Sequence, residues 1–295
     1  MGSVSEGPKE FRFRFIKDHR EYFGVRYLCR KLFVSFSGFY KWLSRPVELK
    51  SDKNDELTRL IKMIFERHDG NYGSPRIHRE LVNLGLLVNH KRVARIMREE
   101  RLVAKAAKLY RRKALPDNSC ITVGNLRHNI PPPSAPNQQW SGDVSYLKVN
   151  GEWIYLSVIL DLYSRKIIGW SLGRNRTTEL TLQSLDMAIE SRQFEPGLIF
   201  HSDKGAEYGA HVFQNRLRSS GIRPSMNRHK TMTDNIHVES FFRTFKTEVF
   251  HGEIFEDAEH LRDVTKWYLE EYYNCIRMHT SLNFKSPVQY ERMAA

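Results

Sequence analysis

Cysteine is scarce: the chain holds only Cys29, Cys120 and Cys275, odd in number and not at zinc-ligand spacing. That argues against a disulfide framework and a structural zinc site, and a reducing compartment is expected. No apolar run reaches the ~20 residues a membrane-spanning helix needs, and the charged N-terminus lacks a signal-peptide core. A cytoplasmic protein with no membrane partner is the expectation. Acidic residues are short in one half only. Residues 1–115 carry 27 Lys and Arg against 13 Asp and Glu, whereas residues 116–295 carry 20 against 21. The whole net charge of +13 therefore lies in the front of the 295-residue chain. A front that grips a polyanion and a back that gathers carboxylates would have this distribution.

The front half reads as small helical modules. Residues 1–48 are basic and helical, with Tyr27, Leu28, Leu32 and Val34 as an apolar stripe. Ser35 or Ser37 can cap a short helix that buries Phe39, Tyr40 and Leu43. Residues 49–115 form a second module. A helix over 52–68 has Leu57, Leu60, Ile61, Ile64 and Phe65 at helical spacing, and a loop through Gly70 and Gly73 ends it. A helix from about Arg76 and a third over 90–100 complete a helix-turn-helix outline. The third shows Lys91, Arg92, Arg95 and Arg98 opposite its buried Val93, Ile96 and Met97. With Arg76, and with Arg111 and Arg112 further on, these are the expected contacts to double-stranded DNA.

Residues 116–138, with Pro131, Pro132, Pro133 and Pro136, read as an extended, stiff linker. The pattern then turns strand-rich, with a core expected over 139–250 and a helical extension over 251–295. Val144 to Val149 alternates as a strand, Asn150-Gly151 supplies a two-residue hairpin turn, and Trp153 to Leu160 returns as a nearly continuous apolar strand. A third strand over 166–172, a helix over 177–191 and a fourth strand over 198–201 follow. A helix over 209–219 and a short strand near Ile222 complete the series. This is an α/β layer in the element order of ribonuclease H-like folds, a mixed five-stranded sheet preceded by small all-α modules. Trp140, Trp153 and Trp170 are expected in the core, Asp161 and Arg165 as an ion pair closing a strand turn. His201 and His237 flank the acidic residues, suited equally to packing or to reaching phosphate.

Three acids carry the chemistry. Asp143 closes Trp140-Ser141-Gly142-Asp143, Asp203 follows the run Leu198-Ile199-Phe200, and Glu239 lies on an amphipathic helix. That helix buries Val238, Phe241, Phe242 and Phe245, leaving Glu239, Arg243 and Lys246 together on another face. Carboxylates from two strand ends and a helix can meet at one point. Their repulsion is relieved by hard cations with oxygen preference. Two such ions about 3.5–4 Å apart would straddle a scissile phosphate.

The motifs resemble those of bacterial insertion-sequence transposases of the insertion sequence three family, whose core is of retroviral-integrase type. The carriers are Trp140 to Asp143, Tyr155 to Arg165, Ile168-Gly169-Trp170, His201 to Tyr208, Asp234-Asn235 and Glu239 to Phe242 with Lys246 and Glu248. Tyr273 to His279, Leu282 and Ser286-Pro287 match in the tail. Cys29-Arg30 with Val34 to Trp42, Tyr72 to Ile77 and Asn89 to Met97 match in the front, so the likeness covers nearly the whole chain. It implies Asp143, Asp203 and Glu239 as catalytic triad and metal ligands, with two Mg²⁺ or Mn²⁺ ions as cofactor. Lys204, Arg243 and Lys246 become expected DNA contacts beside them. One departure stands out: the family's glycine nine residues before the glutamate is Lys230 here.

The expected activity is metal-dependent cleavage at a mobile element's terminal inverted repeats, then strand transfer by the freed 3′ hydroxyl into target DNA. Synapsis of two ends implies at least a dimer. Family members are often fused to a first-frame product with a leucine zipper. No heptad run precedes Glu10, so a second-frame product is expected, with a first-frame partner or fusion as a possible complement. A DNA-binding regulator without autonomous catalysis is the competing reading, and a ribonuclease of the same fold a third.

Overall fold

The computed structural model describes residues 7–44, 51–107, 123–127, 130–228 and 235–294. Arg111, Arg112, Cys120, Lys230 and Asp234 lie outside the described residues. The chain divides into two compact units, Met1–Lys62 and Met63–Ala295.

In the first unit, α1 (Lys9–His19), α2 (Val25–Lys31) and α3 (Phe36–Leu43) enclose Phe13, Ile16, Leu28, Cys29, Leu32 and Phe39. Ser35 caps α3 by accepting from Gly38 N at 3.1 Å. The helix α4 (Ser51–Arg67) crosses into the second unit.

The second unit continues with α5 (Ser74–Asn83), which has Pro75 in its first turn, and α6 (His90–Glu99), capped by Asn89. Ile77, Leu81, Val93, Ile96 and Met97 are buried, and Lys91, Arg92, Arg95 and Arg98 are exposed. The sheet follows: β1 (Gln139–Val149), β2 (Glu152–Asp161), β3 (Ile167–Gly173), β4 (Ile199–Ser202) and β5 (Arg223–Met226), in the order β3-β2-β1-β4-β5. Strands β1 to β3 are antiparallel, whereas β4 joins β1, and β5 joins β4, in parallel. Asn150 and Gly151 both take positive φ between β1 and β2, as the two-residue turn requires.

Only Gln139–Ser141 pair with β4, so β1 runs on from Gly142 to Val149 with β2 as its one strand neighbour among the described residues. One sheet face is covered by α7 (Thr178–Ser191), the single turn α8 (Ala206–Gly209) and α9 (His211–Ser219), around Trp140, Phe200, Leu185, Tyr208 and Phe213. A Cβ on Gly169 would stand 2.0 Å from Ser184 O, so glycine is what lets α7 lie against β3. The other face packs Leu147, Leu156 and Val158 against α10 (Ile236–Phe245) and, after a π-helical turn at Lys246–Phe250, α11 (Ala258–Trp267). A second π-helical stretch, Tyr268–Ile276, leads to α12 (Pro287–Arg292).

The tail ties three parts of this unit together. Asn274 donates Nδ2 to Ile167 O and accepts from Ile167 N, both at 2.9 Å, on the outer side of β3. Arg277 makes two hydrogen bonds to the buried Glu248 carboxylate, at 2.6 and 2.8 Å, and Tyr268 OH donates to the same group at 2.8 Å. Toward the helices, Met278 N donates to Tyr72 OH and Met278 O accepts from Arg76 Nε, each at 2.9 Å.

Four expectations change here. Arg76, expected to face DNA, turns inward over the Tyr72 ring to hold α5 against the tail. Asp161 closes its turn by accepting from the backbone N of Tyr163 and Asn137, and its ion-pair neighbour is Arg192 at 3.8 Å. Arg165 instead donates to Leu162 O at 2.5 Å. Trp140 is fully buried, but Trp153 is 47% exposed. The described parts of the expected linker bend back onto the core, with Leu126 N on Ser225 Oγ and Arg127 on Gln139.

Candidate active site

Asp143 and Asp203 stand at neighbouring positions of the sheet. Asp143 lies two residues past the last β1–β4 pair, Ser141–His201, and Asp203 directly follows β4. Parallel pairing of β1 with β4 therefore brings together two aspartates with 59 residues between them. Gly142 makes this approach possible, since a Cβ there would meet the Phe200 ring at 2.6 Å. Glu239 comes from the first turn of α10 and is exposed.

Asn235, at the start of α10, places that helix. Its Nδ2 donates to Gly142 O at 3.3 Å, and its Oδ1 takes a short hydrogen bond from Ser141 Oγ. The helix bearing the glutamate is thus pinned to the backbone that bears the aspartate. Neither Ser141 nor Asn235 stood out as a site residue in the sequence beyond its place in a motif. Their buried polar side chains on flanking positions were the only signal.

The three acids sense one another. Asp143 is pushed up to about 8, first by burial and then by Asp203, with Glu239 adding to it; Val144 N, 2.8 Å from its Oδ1, and Arg176 oppose the shift. Asp203 is raised by burial, against a hydrogen bond from Gly205 N at 2.9 Å. Glu239 is raised by burial and by Asp203, with Arg243 opposing. A buried carboxyl held up in this way lacks sufficient positive charge around it.

Part of the missing charge comes from Arg176, 3.8 Å from Asp203 and 2.6 Å from the buried Glu207. Glu207 sits under Gly205, where a Cβ would stand 2.6 Å from its carboxylate oxygen. The Arg176–Glu207 pair bridges 31 residues and has no signature in the local sequence.

All donors at this face are carboxylate oxygens, which suits a hard divalent cation rather than a soft one. Asp143, Asp203 and Glu239 would hold it. Among the described residues no group of three or more His, Cys, Asp or Glu is drawn close enough to hold an ion, so the set is open. Lys246, half-buried, lies within electrostatic reach of Asp143. Lys204 is half-buried and Arg243 exposed on the Glu239 helix. His201 is a packing residue bonded to Ser225 Oγ and Asn227 Oδ1 at 2.9 and 2.8 Å. Burial, then Arg165 and Arg127, lower His237 to about 4, so it is neutral at pH 7.

Known proteins are similar to this chain in sequence. Residues 133–231 and 220–287 fit two integrase core domain families, and residues 52–113 an HTH-like domain. The transposase InsF for insertion sequence IS3A of Escherichia coli (strain K12) is 34% identical over 95% of this chain and 98% of its own. The transposase for insertion sequence element IS904 of Lactococcus lactis subsp. lactis is 37% identical over 80% of this chain and 93% of its own. The HTLV-2 integrase catalytic core, 18% identical, covers 54% of this chain and 98% of its own at a TM-score of 0.40, too slight a likeness to argue from. No described helix is long and apolar enough to cross a membrane. With identity above a third of positions along nearly its whole length, and with both helix-turn-helix-like and integrase core regions, the chain belongs to the IS3 family of insertion-sequence transposases, enzymes of the polynucleotidyl transferase class.

Proposed function

We propose that Asp143, Asp203 and Glu239 are the catalytic triad and together hold two Mg²⁺ or Mn²⁺ ions. The chain would use them to cut the terminal inverted repeats of its element and to join the freed 3′ hydroxyl to another phosphodiester. One observation carries the reading: the parallel β1–β4 pairing sets Asp143 and Asp203 at neighbouring positions of the sheet, and Asn235 pins the helix that bears Glu239 to Ser141 and Gly142 beside them. When bound, such ions lower the pKa of the attacking hydroxyl and stabilise the leaving oxygen.

The protein's own part is placement. The β1–β4 pairing and the Asn235 hydrogen bonds set the two aspartates and the glutamate helix in register. Arg176, anchored by Glu207, limits the repulsion before DNA arrives. Lys204, Arg243 and Lys246 would hold phosphates beside the acids. Lys91, Arg92, Arg95 and Arg98 on α6 would grip the duplex end. Double-stranded DNA is the partner, bound by at least a dimer, and a first-frame product can complete the assembly.

Labelled candidate ends, incubated with the purified chain and Mn²⁺, test this. A nicked end with a free 3′ hydroxyl, then a joined product, is expected. Asp203→Asn should lose cleavage about 10²- to 10⁴-fold, the several kcal/mol a catalytic metal supplies, while keeping DNA affinity. Undiminished cleavage by that variant refutes the triad; cleavage of an RNA–DNA hybrid but not of the DNA end makes the protein a ribonuclease.

A further inference from the structure

The far end of the β1–β2 hairpin carries two aromatic rings that the core does not use. Along β1, Leu147 and Val149 are buried, while Tyr146 between strand and solvent is 59% exposed. On β2, Ile154 and Leu156 are buried, and Trp153, diagonal to Tyr146, is 47% exposed. The exposed pair meets edge to face, ring centres 5.2 Å apart. The buried face of this hairpin is closed by Leu147, Val149, Ile154 and Leu156, and the two rings lie outside it, where their mutual contact adds to strand pairing.

Each ring has a lysine over it. Lys246 Nζ lies 4.7 Å from the centre of the Tyr146 ring, and Lys148 Nζ 5.5 Å from that of Trp153. Lys148 is the cross-strand partner of Trp153, so that contact is built into the register. Lys246 reaches Tyr146 from the end of the Glu239 helix, beside the stretch of β1 that has only β2 as a strand neighbour among the described residues. The same ammonium is within electrostatic reach of Asp143. Tyr146 follows Asp143 by three residues, roughly 10 Å along the strand; this odd step puts the two side chains on opposite faces, and Lys246 lies within reach of both.

Aromatic rings with interleaved cations suit one ligand chemistry above others. Unpaired bases stack on such rings while the cations meet the phosphates between them. Within a duplex the base faces are covered by their neighbours, so rings standing on a strand surface cannot reach them. We propose that Tyr146 and Trp153, with Lys148 and Lys246, form a stacking site for unpaired nucleotides of the DNA strand that enters the carboxylate face. The ring faces that the ammonium groups now cover are those the bases take. As each base arrives, the lysine above the ring moves to the adjoining phosphate. The site rests on DNA being the substrate, as proposed above, but binding there needs neither cleavage nor metal.

The test uses the full chain in EDTA, with a labelled oligothymidine of about 12 nucleotides and a blunt duplex of equal length as probes. The double variant Tyr146→Ala/Trp153→Ala should bind oligothymidine at least about fivefold, and up to 150-fold, more weakly for each stack lost. Its affinity for the blunt duplex should stay within about twofold, and Tyr146→Phe/Trp153→Phe should bind both probes as the parent does. In the unaltered protein, oligothymidine carrying 5-iodouracil should photocrosslink to Tyr146 or Trp153, which removes dependence on the variants' folding. Unchanged oligothymidine binding, an equal loss on both probes, or a crosslink confined to other residues would each overturn the proposal. So would a change in sedimentation with DNA binding intact, which would make the face a protein interface. Because no step requires divalent ion, a failure of the catalytic triad shows only in the cleavage assay and is not confused with a failure here.

Discussion

Two clusters of charge in the second unit are treated in opposite ways. At the junction of the tail with α5, Glu248 and Arg277 are buried to 6% and 4% exposure, and the carboxylate accepts from Arg277 and Tyr268. Their neighbours Tyr72, Arg76 and Met278 are joined by further hydrogen bonds. At the carboxylate face burial raises all three acids, Asp203 raises Asp143 and Glu239 further, and Arg176 gives partial relief. Charge that meets its complement holds architecture together; charge left in excess waits for something from outside the chain. Exposure alone does not distinguish the two, because Asp143 is also partly buried. Pairing does.

Changes on either side should therefore act on different observables. Glu239→Gln has the largest expected effect. It should lower end cleavage by about 10²- to 10⁴-fold with thermal stability unchanged or slightly raised, because a repelling charge has gone. A clear fall in melting temperature would place Glu239 among the structural charges and break the contrast. Arg277→Met comes next. It strands the Glu248 carboxylate in the interior and should destabilise by about 3–5 kcal/mol in urea titrations. Glu248→Leu combined with Arg277→Met should recover most of that loss, and failure to do so would mean that the pair contributes more than mutual neutralisation.

His279 offers the smallest and finest test. It touches the junction through Arg277 Nη1 at 3.4 Å, and burial, then Arg277, Arg76 and Arg165, lower its pKa from 6.5 to about 2. The folded imidazole is neutral, so as pH falls below about 6.5 the unfolded chain takes up the proton first. Stability contributed by the neutral ring is complete above that pH and declines continuously toward about 2. Between pH 7 and 5 the loss should reach about 1–2 kcal/mol, and His279→Gln should flatten that part of the profile. An unchanged slope would remove His279 from the junction's account.

Much of the proposed site can be read from the sequence because its signals are local. Gly142-Asp143 at the head of an alternating strand, Asp203 just past an apolar run, and Glu239 on a striped helix can each be recognised within ten residues. Asn150-Gly151 announces its turn through backbone chemistry alone. The errors share another cause. Arg76 reads as one more exposed cation in a basic module, yet its partner is Met278 O, 202 residues away. Asp161 reads as the partner of nearby Arg165, whereas the guanidinium it approaches is that of Arg192, the residue that ends α7. Trp153 belongs to a nearly unbroken apolar run, and periodicity cannot tell the end of a hairpin that outruns its covering helix from the part beneath it. Whether a polar group is buried depends on a distant complement, and local pattern carries no record of that.

The Asn274 amide has an effect beyond holding the tail. Outer strands of a sheet present free donors and acceptors on which another chain can zip, and crowded proteins aggregate by that route. At Ile167 both groups already face an amide that copies a strand's own donor and acceptor. A single side chain thus acts as a blunt border, closing one rung of the ladder to intruders.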